Sequence, residues 1–270
     1  MHPPTTTRAK SMIRLLLRLG AAPVLLFAAV AGTVADQPTP PASASDRDAF
    51  LAGTGKDCPG CHLREAKLKR RDLSGADLSG AVLHRAKLAN ARLDHAKLQD
   101  ANLNKADLKR ASLTDADLTG ALLYGADMSG AQLEGAVMTQ VHMAHSRLTR
   151  AVLRGADLSL STMMDAEMAG SDLSHATLKQ SNLSGANLSR CDLTAAVLDG
   201  AGFVRARLKD AKLRGVSAKQ ADFYEANLSG SDLTNADFRG SRLQQADLDG
   251  AVTDGIKTKG AVLVDGTIGQ

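Results

Sequence analysis

The chain has 270 residues, of which 44% are hydrophobic, yet only 3% are aromatic and none is Trp. That balance excludes a core built around large rings and suits a narrow interior of Leu and Ala that repeats itself. The net charge of +4 comes wholly from Arg8, Lys10, Arg14 and Arg18, because residues 1–35 contain no acid; the neutral remainder excludes a molecule-wide field that would steer nucleic acid or an anionic membrane.

Residues 1–35 have a basic start, an apolar run and small residues at the end, the form of a secretory signal peptide. Ala29-Val30-Ala31 or Thr33-Val34-Ala35 supplies the small-x-small site. The uninterrupted apolar run after Arg18 falls short of the ~20 residues that span a bilayer. The expectation is therefore cleavage and export to the periplasm or the medium, with no transmembrane anchor left on the mature protein. Residues 36–57 read as a Pro/Ser/Ala-rich linker, too polar to join a core.

Cys58-Pro59-Gly60-Cys61-His62 spells C-x-x-C-H, the attachment pattern of a c-type haem. The same letters also open a repeat. From Leu63 onward the unit A-[D/N/K]-L-x-x recurs every five residues. The 38 central slots from 63 to 248 hold 29 Leu, five Met, three Phe and Ala218. Two residues earlier, the small slots hold 27 Ala, six Ser, two Cys, two Val and Arg71. A fixed period of this kind is the mark of a repeat array.

The period restricts the geometry. Ala and Leu two apart share one face of an extended segment. Five is odd, so each unit must bend after its Leu or turn the next unit inside out. Gly is frequent in the second linking slot, where it permits the positive φ that such bends can require. All seven prolines lie at or before Pro59, leaving the array free of residues that cannot donate to a ladder.

These units resemble those of the pentapeptide-repeat family. The resemblance implies an all-β, right-handed four-sided β-helix solenoid with four units per coil. It covers residues 58–250, with degenerate repeats or a cap at 251–270. About ten coils at ~4.8 Å each make a rod on the order of 50 Å long. The best-known members inhibit or protect DNA gyrase by imitating DNA. That nucleic-acid-enzyme reading is an alternative here, but the chain lacks the acidic surface it needs.

In the repeat frame Cys58 takes a central slot, Cys61 a small slot and His62 an outward one. The expected role of Cys58 and Cys61 is an N-terminal cap, as a disulfide or a close pair. The alternative is a c-type electron carrier through Cys58-x-x-Cys61-His62, which would need an apolar pocket and usually a second axial ligand. No cofactor or metal is expected. His142 and His145 flank Met143 without matched partners. No nucleophile elbow, zinc-binding, P-loop or dinucleotide signature occurs, so no enzyme is expected.

With residues twenty apart in one stack, two faces stand out. A basic stripe contains Lys67, Lys69, Arg70, Lys87, Lys109 and Arg110 near its start, eleven basic residues against six acids along its length. It reads as a solvated face or as a contact for an acidic polymer or lipid headgroup; without interleaved aromatics it does not suggest nucleic acid. The neighbouring side aligns Val82, Leu122, Tyr124, Met164, Val204 and Tyr224, a candidate partner face. An unidentified protein partner is expected, with end-to-end self-association as the next choice. Ala218 leaves a gap for Phe203, Phe223 and Phe238 to fill.

Overall fold

The computed structural model describes residues 43–270. The signal-peptide reading of residues 1–35 lies outside the described residues, as does the beginning of the 36–57 segment. The described residues belong to one compact unit.

Each five-residue unit contributes one short extended side. The residue before the central one pairs in parallel with the residue twenty positions on, from His62↔Val82 down to Arg242↔Val262. Four units therefore close one coil. The backbone groups of one coil are satisfied by the next: the Leu63 N–H donates to the Val82 carbonyl (2.9 Å), and the Val82 N–H donates back to that of Cys61 (2.8 Å). Corners are closed internally, as where the Ala66 N–H donates to the Leu63 carbonyl (3.1 Å). We number the sides of a coil first to fourth by their central residues Leu63, Leu68, Leu73 and Leu78.

The third residue of each corner turn is left-handed whatever its type. Besides the glycines, 24 non-glycine residues have φ between 53° and 61°. The bend thus depends on the repeat frame, and glycine only relieves its cost. Leu160, at φ 61°, is a bulky residue in a conformation that such side chains rarely adopt.

The central and small slots fill the tube. Leu, Met and Ala side chains from coil to coil are fully buried. Three of the six interior serines satisfy themselves locally, Ser161, Ser181 and Ser241 each donating to the carbonyl three residues back. Ser171 lies 3.2 Å from the buried Cys191 sulfur, while Ser146 and Ser231 keep unpartnered hydroxyls. The Phe203 and Phe223 rings stack at 4.7 Å, and Phe238 tilts against Phe223 at 5.1 Å. Phe238 stands one coil beyond Ala218 in the same stack.

One segment read as linker is structured. Ala44–Ala52 forms α1, the one helix among the described residues. Ser43 and Asp46 make a reciprocal capping box at its start, and Gly53, at φ 81°, ends it. Its Phe50 is completely buried and joins the core of the tube. The polar composition of the segment had pointed to solvent; a single aromatic over an open apolar tube is enough to dock it. Residues 251–270 continue the coil and then reverse, Ile268 pairing antiparallel with Val262.

Candidate functional site

The N-terminal end is the most elaborated part of the rod. Cys58 and Cys61 form a disulfide with Cα atoms 5.3 Å apart, and both are buried. With the sulfurs bonded to each other, the pair offers no thiol for a haem or metal. His62 is exposed, and its carbonyl accepts a 2.8 Å hydrogen bond from Arg47 Nε of α1. Asp57 accepts the Asp77 N–H (2.8 Å), a donor that the coil stack would leave unpaired at its first edge.

Arg71 is the residue that sequence reasoning passed over. It occupies a small interior slot, yet in the first coil no preceding coil confines it. Its guanidinium lies 4.7 Å from the centre of the Phe50 ring and donates to the Phe50 carbonyl (2.7 Å). The signal was present, as the only charged residue in 38 small slots, but its meaning needed α1.

On the first side the proposed apolar stripe is not continuous. Leu122, Tyr124 and Met164 are exposed, whereas Val82, Val204 and Tyr224 are half-buried. The Tyr224 ring lies under the Arg242 guanidinium at 4.7 Å. Arg242 pairs with Asp222, and Arg205 with Glu225. A hydrogen bond with Glu225 raises the Tyr224 phenol above its ordinary value. That end of the stripe is therefore a charge network. The exposed part gains Val137 and Leu160 from the fourth side, which meets the first at the corner holding Leu160. These five residues, 36–51% exposed, lie in three successive coils. Among the described residues, the other large exposed apolar ones are Leu51 of α1 and Val252, Val264 and Ile268 at the C-terminal end. Tyr124 also meets the His145 ring edge-on at 5.4 Å.

The second side carries the basic stripe. Among the described residues, Lys67, Lys69, Arg70, Lys87 and Arg110 have no carboxylate within salt-bridge distance, while Lys109 pairs with Asp107 and Asp127. On the first side beside it, His84 is held below its ordinary value by partial desolvation and by Arg64, Arg85 and Lys105. His142 is exposed, and His145 stands 3.9 Å from Asp165. Among the described residues no group of three or more His, Cys, Asp or Glu side chains is placed to hold a metal. No described helix is long and apolar enough to cross a membrane.

Comparison with known proteins agrees with this geometry. The family model for pentapeptide repeats (8 copies) matches residues 61–100, 101–140, 142–180, 178–215 and 219–252. HetL, a pentapeptide repeat protein involved in heterocyst differentiation regulation from the cyanobacterium Nostoc sp. strain PCC 7120, is 31% identical, with a TM-score of 0.63. The match covers 84% of this chain and all of HetL. A pentapeptide repeat protein from the Arabidopsis thaliana thylakoid lumen is 32% identical over 34% of this chain and 65% of its own, with a TM-score of 0.34. No curated protein matches the sequence. With HetL and the family model as the guide, the fold is the right-handed four-sided β-helix.

Proposed function

The chain belongs to the pentapeptide-repeat family, and from that membership we propose that it is an exported scaffold that holds a protein partner. It acts by presenting a fixed surface rather than by catalysis. The observation that carries this reading is the patch of Leu122, Tyr124, Val137, Leu160 and Met164. Away from the ends of the rod, the large exposed apolar side chains gather there. Single exposed apolar residues are ordinary, but a group with Tyr and Met on adjacent sides is what interaction surfaces present. Leu160 adds a bulky apolar side chain to this patch, in a left-handed corner that suits Gly or Asn better. Rigidity helps as well, because a preformed surface loses little entropy on binding.

Export rests on the form of residues 1–35, and a buried disulfide suits an oxidising compartment. Two measurements test the proposal. N-terminal sequencing of protein recovered from cells should begin near residue 32 or 36; an intact Met1 start would remove the export reading. Affinity capture from envelope extracts should lose its partner on combining Leu122→Ser, Tyr124→Ser and Met164→Ser, with an unchanged circular dichroism spectrum. Capture that survives those three changes would place the contact elsewhere.

A further inference from the structure

We propose that the second side of the first three coils is a docking surface for an anionic phospholipid bilayer. The neutral total charge hides a polarised local arrangement. Within residues 61–120, the second side carries six basic residues and one acid, whereas the fourth side, opposite it, carries one basic residue and three acids. The rod is therefore positive on one flank and negative on the other at this end.

The stacking pattern makes the basic side distinctive. Elsewhere, residues twenty apart tend to alternate in sign and form ion pairs between adjacent coils. Examples are Arg92 with Asp72, Lys97 with Asp77, Lys212 with Asp192 and Arg242 with Asp222. On the second side Lys67 lies directly across from Lys87 in the parallel pairing, with Asp107 across from Lys87 on its other face; among the described residues neither lysine has a carboxylate within salt-bridge distance. Like charges facing one another across adjacent strands are destabilising, so this arrangement is costly until an external anion neutralises it. Lys67, Lys69 and Lys87 surround a shallow open depression of about 430 Å³, suited to a phosphate headgroup.

Shape and composition select the occupant. This side presents extended segments at a ~4.8 Å coil spacing, so its charges form a flat lattice rather than a groove. It carries no aromatic residue along its whole length, which removes the stacking platforms that single-stranded nucleic acid uses. Lipid headgroups diffuse laterally and can gather beneath fixed lysines, whereas a polymer has to match their spacing. A bilayer is flat on this scale and offers the complementary charge. Docked in this way, the rod would keep the apolar patch, centred on the adjoining first side, free for a protein.

The test is sedimentation of the full chain with vesicles of phosphatidylglycerol in phosphatidylcholine and with pure phosphatidylcholine vesicles. Wild-type protein should bind the anionic vesicles in preference and release them at high salt. Each lysine near an anionic surface is worth about a fivefold change in binding, so combining Lys67→Gln, Lys69→Gln and Lys87→Gln should weaken it on the order of a hundredfold. All three side chains are exposed, so the melting curve should not move. Lys97→Gln with Lys212→Gln, on other sides, serves as the control and should leave binding within a few fold. Three results would overturn the proposal. The triple variant could bind as wild type does, which assigns binding to another segment. Both vesicle types could bind equally. The lysines could prove necessary for soluble polyphosphate while anionic vesicles are ignored, which identifies a polymer site.

Discussion

At the N-terminal end of the rod, α1 drops Phe50 onto the open tube, Arg71 clasps that ring from below, and a disulfide closes the first unit. At the C-terminal end the core simply thins. The central slots turn to Thr253 and Thr258, Leu248 and Leu263 are only partly covered, and Ile268 is 56% exposed. Closure there comes from a backbone return in which the Gly269 N–H donates to the Ala261 carbonyl (2.8 Å) and the Gly260 N–H to that of Gly269 (2.9 Å). Glycine is required at 269 because a side chain there would collide with the Thr258 carbonyl. The contrast teaches how a solenoid distributes stability. Each coil is held by its neighbours, so the ends decide where opening starts. One end is locked by side chains, whereas the other is held mainly by backbone hydrogen bonds. Unfolding should begin at the C-terminus.

The largest effect expected from breaking this asymmetry is at Phe50. Phe50→Ala should cost ~3–5 kcal/mol, in the range of buried Phe truncations, whereas Ile268→Ala, exposed at the other end, should stay within about 0.5 kcal/mol. Urea denaturation with residue-resolved hydrogen exchange would show the first loss in the coils next to α1. A Phe50→Ala cost under about 1 kcal/mol would mean that α1 rests on the tube without closing it.

Reducing the disulfide should be the next largest. The loop spans three residues of sequence separation, so the chain-entropy argument gives only about 2 kcal/mol. The urea midpoint should fall with reductant in wild type and not in Cys58→Ser/Cys61→Ser. The remaining thiol gives an internal control. Burial pushes Cys191 up to about 11 despite its hydrogen bond with Ser171, so it should resist thiol reagents until the chain is denatured.

Arg71→Ala should cost about 1–2 kcal/mol, combining a cation–π contact with a hydrogen bond. Arg71→Lys should recover little, since an ammonium cannot both lie flat over the ring and reach the Phe50 carbonyl. Full recovery by Lys in thermal melts would reduce the contact to simple charge.

The smallest effect should treat the two ends alike. The Asp46 carboxyl is held below its ordinary 3.8 by hydrogen bonds from Ser43, and Asp265 by those from Thr267. A depressed carboxylate contributes stability that is present above the unfolded value and is lost as pH falls through the lower folded value. Below about pH 4, exchange at α1 and in the 264–269 return should both accelerate. Acid sensitivity confined to one end would show that the other cap does not depend on its Asp.

The array was legible because its signal is repeated 38 times in one frame, so no single exception, such as Ala218 or Arg71, could obscure it. The same redundancy hid the sites. Tyr224 and Tyr124 occupy identical slots a hundred residues apart, yet one is covered by Arg242 and the other, beside His145, is exposed. Leu160 was invisible as a surface feature because corner slots look alike in sequence, and its exposure depends on what the coils above and below present.

Four units per coil came from the family resemblance, while by itself the sequence determined the period, the interior residues and the frame that places Cys58 and Cys61 inside. These follow from covalent spacing and from the burial of Leu and Ala, both local and repeated. Only the tertiary structure decided that Ala44–Ala52 is a stopper, that Arg71 reaches Phe50 to hold it, and that Lys67, Lys69 and Lys87 have no carboxylate within salt-bridge distance among the described residues. Those outcomes depend on which groups lie one coil away, a relation that the chain writes twenty residues apart and in which any single pair carries too little pattern to be read.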